Sequence, residues 1–240
     1  MIADLDVLRH AMHAQWDRLQ TWLEDSEESG VLDVDVPSAL PGWSTGELVS
    51  HLGRAMDALG VCVAAPDGTH PLTLAEYLGT YPDRGDEITR VTRELDAELV
   101  PDRVAGVARL ARHALANLDD LGPGDIVVQA RRGPIRLHDM VLSRLVELVV
   151  HADDLARSLP GAVAVSGPPV DPEALRLVAD ELLHVVVVRG GYSLLVDDPL
   201  LWTRLATGRV PYHVDLLAEA LATPSSADAV PDLGRALPLL

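Results

Sequence analysis

Arg144, Glu147, His151 and Asp154 recur at intervals of three and four residues in a stretch whose other positions are almost all Leu, Val or Ala. That spacing puts the four on one face of a helix, with Glu147 and His151 one turn apart. A helix that is apolar on most sides and polar along one stripe belongs in an interior, with the stripe facing a cavity. Charged groups placed there are costly unless they are paired or coordinated. This stretch therefore asks for a folded, largely helical chain built around it.

The rest of the sequence supplies such helices. Leu5, Leu8, Met12, Trp16, Leu19 and Leu23 form one stripe of a long amphipathic helix from Ile2 to about Glu28, stopped by Ser29-Gly30. Ser44 opens a capping box with Glu47, and the helix after it runs to roughly Val63 with Leu48, Leu52, Ala55 and Leu59 inward. Leu72 to Gly79 reads as a short helix and Asp86 to about Leu99 as a longer one. Pro101 either kinks that helix or starts the next, whose face Val104, Val107, Ala111, Leu115, Leu118 continues to Gly122. Ile126–Ala130 and Ile135–Leu137 flank a turn and read as a short hairpin. A helix from about His138 to Leu159 follows, ended by Pro160-Gly161.

The expected fold class is mainly α: a four-helix bundle with a short hairpin before the fourth helix. Pro160 to Pro172, rich in Gly, Pro and Ala, marks a boundary. Residues 1–160 are expected to form the bundle, and residues 161–240 a small C-terminal region with a helix from Asp171-Pro172 to about Arg189 and a helical stretch over Val214 to Ala222.

His51 sits among Leu48, Leu52 and Ala55 on the apolar face of the second helix. A third ligand from a facing helix would complete the Glu147–His151 pair, and His51, Glu147 and His151 form an open set of two nitrogens and one oxygen. Such a set suits zinc, with iron, nickel and manganese as alternatives. Asp154, one turn beyond His151, is placed to accept its free ring N–H, and Arg144 to reach Glu147 or an anionic substrate. The plain alternatives are a hydrogen-bonded core histidine and a simple helix ion pair.

Composition narrows the partners. Nineteen basic residues, all Arg, against 37 acidic ones give a net charge of −18. Nucleic acid and anionic lipid would repel such a chain. The single cysteine, Cys62, excludes an intramolecular disulfide framework and Cys-based zinc sites. It lies eleven residues after His51, about three turns or roughly 16 Å along a continuing helix, and reads as a buried structural thiol. His10, His13 and His138 read as packing or helix-end residues. No signal peptide or bilayer-spanning run is present in the sequence, so a cytoplasmic protein is expected, as monomer or homodimer.

The run Leu40-Pro-Gly-Trp-Ser-Thr-Gly-Glu-Leu-Val-Ser-His51-Leu, with Arg144-x-x-Glu147-x-x-x-His151-x-x-Asp154-Leu far downstream, resembles the mycothiol-dependent maleylpyruvate isomerase family. That family falls within the DinB-like group of metal-binding four-helix bundles. The resemblance covers about residues 1–160. It implies a metal, typically zinc, on His51, Glu147 and His151, and mycothiol, the small thiol of actinobacteria, as co-substrate. The skew toward Ala, Val, Leu, Asp, Gly and Pro, as from GC-rich DNA, agrees with such a source.

The implied function is that of a thiol S-transferase or isomerase in which a metal-held exogenous thiolate attacks a small electrophile. A non-catalytic small-molecule-binding or regulatory protein on the same bundle is the alternative. Family members often carry a C-terminal α+β domain resembling sterol carrier proteins, here expected in reduced, α or α+β form. Trp202-Thr-Arg-Leu-Ala-Thr-Gly-Arg209 resembles a piece of it, which makes Arg209 the candidate for the arginine by which that domain assists catalysis in the isomerase itself.

Overall fold

The computed structural model describes residues 3–79, 84–224 and 230–239. Among them the chain is mainly helical and separates into two compact units, Ala3–Asp171 and a second that begins at Pro172.

In the first unit, helix α1 spans Leu5–Glu28 and begins where Asp4 Oδ1 accepts a hydrogen bond from Val7 N at 2.9 Å. The expected start at Ile2 lies outside the described residues. Its stripe Leu5, Leu8, Met12, Trp16, Leu19, Leu23 is buried throughout. Helix α2, Thr45–Gly60, opens with the reciprocal Ser44–Glu47 capping box. Gly46, Gly53 and Gly60 recur every seven residues along it, so they share a face. A Cβ on Gly53 would stand 3.0 Å from Leu110 and 3.2 Å from Val107, and one on Gly60 2.7 Å from His113. This glycine seam lets α2 lie close against α5, Arg103–Asp120.

Strand β1 is Val63–Ala64 and helix α3 Leu74–Leu78. Helix α4, Gly85–Leu99, passes through a 3-10 turn, Val100–Asp102, into α5, so Pro101 separates two helices rather than kinking one. Strands β2, Val127–Ala130, and β3, Gly133–Arg136, form the expected hairpin with Val128 opposite Ile135. β2 also pairs with β1, giving a three-stranded antiparallel sheet of order β1-β2-β3. The sequence reading missed β1, because two residues are too few to show an alternation.

Helix α6, Leu137–Ser158, is buried along nearly its whole length. It packs on α1 and α2, while α2 also packs on α4 and α5, and α1 on α5. Pro160 ends α6 as expected, yet it also begins a further helix, α7, Pro160–Ser166, within the stretch read as a boundary. Proline is well suited to a first helical turn because its missing N–H has no partner to lose there. Hydrogen bonds from Trp22 Nε1 to Gly167 O (3.0 Å), Gln15 Nε2 to Pro169 O (3.0 Å) and Asp171 N to Gln15 Oε1 (2.9 Å) tie the following segment to α1.

The second unit contains α8, Pro172–Gly190; β4, Leu195–Val196; α9, Pro199–Ala206; α10, Val214–Ala220; and β5, Leu221–Ala222, paired with β4. The stretch read as helix to Ala222 therefore stops at Ala220 and ends as strand. Trp202, fully buried, anchors α9 to α8 by donating from Nε1 to Ala179 O at 2.9 Å. No helix among the described residues is long and apolar enough to cross a membrane.

The start of α6 carries a charge arrangement of its own. His138 N donates to Asp125 Oδ1, and the ring bonds Asp139 Oδ1 and Ala3 O, each at 2.9 Å. The hydrogen bond to Asp139 raises the His138 pKa to about 9, against burial, which lowers it. The folded state thus holds a proton that the unfolded chain releases near 6.5. Its stabilising contribution is complete below pH 6.5 and disappears as pH rises through about 9. Denaturant unfolding across that window is expected to show wild type losing stability relative to His138→Gln. Parallel profiles for the two would refute this assignment.

Candidate metal centre

Helices α2 and α6 run antiparallel where they meet: His51 stands by His151, and Ala55 O lies 3.5 Å from Arg144 Nη1. The polar stripe of α6 therefore faces the one histidine of α2. His51 Nε2 lies 3.3 Å and His151 Nε2 3.1 Å from the same oxygen, Glu147 Oε2. One ligand atom from each residue lies within 4.8 Å of the others. The two rings meet edge to face, with centroids 4.8 Å apart, and Trp43 packs on the other side of His51 at 5.0 Å.

Each imidazole is held from outside by its other nitrogen. His151 Nδ1 lies 3.0 Å from Asp154 Oδ2, and because a carboxylate accepts, the nitrogen donates. His51 Nδ1 lies 3.2 Å from Thr92 Oγ1, which α4 contributes from a buried position. This fixes both Nε2 atoms inward. In the neutral ring His151 Nε2 then carries a lone pair aimed at a carboxylate oxygen, a contact that is repulsive until a positive charge stands between them.

The titration behaviour follows. Burial lowers the His51 pKa to about 4, and the positive neighbour His151 adds to this while Glu147 opposes it. His151 is also penalised by burial, but hydrogen bonds to Asp154 and Glu147 outweigh that and raise its pKa. Burial likewise pushes Glu147 up, and the hydrogen bonds from His151 and His51 with the Arg144 charge outweigh it, leaving the carboxyl well below its usual range. The pocket thus keeps a nearly buried anion, 11% exposed, and demands a cation beside it. A divalent ion fits this donor set, with Asp154 and Thr92 orienting the rings.

Arg144, buried on the same stripe, has Nη2 3.9 Å from Glu147 Oε1 and donates from Nε to Ser143 Oγ at 3.2 Å. Asp154 is fully buried and also meets Arg157 at 3.7 Å. The structure thus brings His51, Glu147, His151, Asp154 and Arg144 together. Arg209 belongs to the second unit, where its Nη1 donates to Thr207 O at 2.9 Å.

Cys62 is buried, as expected, although α2 ends at Gly60 rather than near Val63. Its Sγ donates to Ala58 O at 3.2 Å. His10 is exposed and His13 half-buried on α1. Thr92 and Trp43 are partners of the His51 ring that were not assigned a role from the sequence. Trp43 stands eight residues before His51 in the Pro-Gly-Trp run, whereas Thr92 on an exposed-looking helix gave no signal.

Residues 9–156 match the family model described as the mycothiol maleylpyruvate isomerase N-terminal domain. Among curated proteins, the chain is similar to the tRNA-specific 2-thiouridylases MnmA of Mycobacterium ulcerans (strain Agy99) and Mycobacterium marinum (strain ATCC BAA-535 / M). Each is 31% identical over 163 residues, covering 59% of this chain and 44% of the relative. The chain therefore spans less than half the length of these relatives. No solved structure matches.

The outer partners of the rings give a measurable expectation. Asp154→Asn should weaken zinc binding by roughly ten- to a hundredfold, and Thr92→Val by about threefold to tenfold, in competition with a chromogenic chelator. Unchanged zinc affinity in Asp154→Asn of native circular dichroism would show that the carboxylate only braces the helix.

Proposed function

The chain belongs to the mycothiol maleylpyruvate isomerase N-terminal domain family, over residues 9–156, and from that membership we propose that it is a metal-dependent enzyme that uses mycothiol to act on a small electrophile, as S-transferase or isomerase, on a DinB-like four-helix bundle. The observation that carries this reading is the approach of His51 Nε2 and His151 Nε2 to one oxygen of Glu147, with both Nδ1 atoms held from outside. His51, Glu147 and His151 would hold a divalent ion, zinc first among the candidates. When bound, that ion supplies a Lewis acid that lets a thiol lose its proton near neutral pH.

The chain's own residues do the remaining work. Glu147 offsets part of the ion's charge, and Asp154 holds the His151 tautomer so that the ring is ready as a ligand without rearrangement. Trp43 packs on the His51 ring, and both histidines are buried, so little water reaches them, which strengthens every charge interaction inside. Arg144 places a permanent cation beside Glu147, suited to orienting an anionic electrophile or to stabilising negative charge as it develops. Arg209 is the second candidate for a catalytic guanidinium, on the resemblance alone.

The protein's own thiol is a poor nucleophile. Burial raises the Cys62 pKa to about 11, although Arg144 and Arg131 pull it down. Little of it is thiolate at neutral pH, which supports a nucleophile supplied from outside. The mycobacterial relatives are named for tRNA thiolation. The net charge of −18 opposes a phosphate backbone, and a small-molecule role is the better fit here.

Turnover of maleylpyruvate and of monobromobimane, with and without mycothiol, tests the reading. Wild type is expected to hold about one divalent ion per chain and to require mycothiol. His51→Ala should lose turnover by about a hundredfold or more, and Cys62→Ser should stay within about twofold of wild type. Turnover that ignores mycothiol and vanishes in Cys62→Ser would overturn the assignment. Metal binding without thiol-dependent turnover of any electrophile would favour a binding or regulatory protein on the same bundle.

A further inference from the structure

A partly enclosed cavity of about 330 Å³ lies in the first unit, walled by α2 to α6 and the tip of the β2–β3 hairpin, and shares Arg144 with the metal centre. Arginine is the commonest residue in its lining among the described residues. Among the described residues, five guanidinium-bearing side chains, Arg54, Arg84, Arg131, Arg132 and Arg144, line it against two carboxylates, Asp57 and Glu87. Asp57 pairs with Arg131 at 2.5 Å and Glu87 with Arg84 at 2.7 Å. In a chain of net charge −18, gathering cations into one cavity runs against the overall balance.

Several of these cations are placed rather than merely present. Arg131 and Arg132 occupy the two-residue turn of the hairpin, a position where side chains ordinarily extend into solvent. Arg132 instead lies over the buried ring of Tyr77, with its guanidinium carbon 5.4 Å from the centroid. Arg144, 2% exposed, reaches the cavity from α6 while its Nη2 stays 3.9 Å from Glu147. Tyr77, Val91, Leu95 and Leu110 supply an apolar wall, where guanidinium–oxyanion hydrogen bonds gain strength over those in water. The volume is at the small end of the range for small-molecule pockets.

We propose that this cavity is a subsite for a small organic oxyanion, carboxylate or phosphate, held by Arg54, Arg131, Arg132 and Arg144. Planar guanidinium forks recognise both kinds of oxyanion in pairs of hydrogen bonds. Arg144 borders both the cavity and the metal centre, so an anion held here shares that guanidinium with Glu147. That the anion is the charged end of the substrate rests on the functional reading above; the binding itself does not.

The test is calorimetric titration of metal-free and of zinc-loaded protein at low ionic strength with malonate, with inorganic phosphate, and with neutral malonamide. One saturable site for malonate or phosphate and none for malonamide is expected in both forms. Which of the two anions binds tells whether the natural group is a carboxylate or a phosphate. Arg132→Met and Arg54→Met should each weaken binding about tenfold or more, while Arg90→Met on the outer face of α4 should leave it unchanged.

Asp57→Asn, which releases Arg131, should tighten binding, and this opposite direction keeps the test sharp if an arginine variant folds poorly. Absence of saturable binding by either anion would overturn the subsite, as would undiminished affinity in both natively folded arginine variants. Anion binding by a protein that takes up no zinc would sink the functional reading and leave the subsite standing; zinc uptake without anion binding would do the reverse.

Discussion

A carboxylate set almost wholly inside a helical protein is the constraint from which the rest follows. Glu147 cannot remain charged there alone, because desolvation of an unpaired carboxylate costs several kcal/mol, of the order of the entire stability of a domain. It is answered from three directions: by His151 one turn further on its own helix, by His51 from α2, and by Arg144 one turn before it. The antiparallel meeting of α2 and α6 is what allows the second answer, and the glycine seam on α2 lets that helix lie close to α5 at the same time. Deleting one partner of such a set is far more damaging than its average contribution suggests, since the remaining charge stays buried.

The two histidines are not equivalent, although both address the same oxygen. A carboxylate, Asp154, stands behind His151, and a hydroxyl, Thr92, behind His51. A carboxylate behind an imidazole stabilises positive charge on the ring and raises its basicity; a hydroxyl does so much less. This is why burial dominates at His51 and is overcome at His151. One ring is held ready as a neutral donor, and the other shares its charge with two acids. A cation placed among the three inward atoms would satisfy all of them together, which no single proton can do.

The chemistry of the first unit was legible in the sequence wherever it depended on periodicity. The three- and four-residue spacing of Arg144, Glu147, His151 and Asp154 anticipated one stripe, and the Asp154–His151 hydrogen bond is there. The Ser44–Glu47 capping box and the hairpin were legible because their signals are local. What stayed hidden was produced by contacts between distant segments. Asp125 capping the start of α6, Thr92 behind His51 and the pairing of β1 with β2 each join residues that nothing in their immediate neighbourhood marks. The end of α2 was overrun for a related reason: the apolar pattern runs on toward Val63 while the helix stops at Gly60.

The absence of lysine, which first reads as a trace of base composition, has a physical consequence in this fold. Burial readily neutralises an ammonium group, whereas a guanidinium keeps its charge in almost any protein setting. Arg144 is 2% exposed beside a carboxylate shared by two imidazoles, and there the positive charge must persist whatever the protonation of its neighbours. Its flat, multiply donating head also serves Ser143, Ala55 and Glu147 at once, which three donors on one nitrogen would not match geometrically. The overall charge of −18 says little about such a place, because exposed charges are screened over about 8 Å at physiological salt. An acidic surface and a basic interior cavity can therefore coexist in one unit, the surface governing what the protein avoids and the arginines governing what it holds.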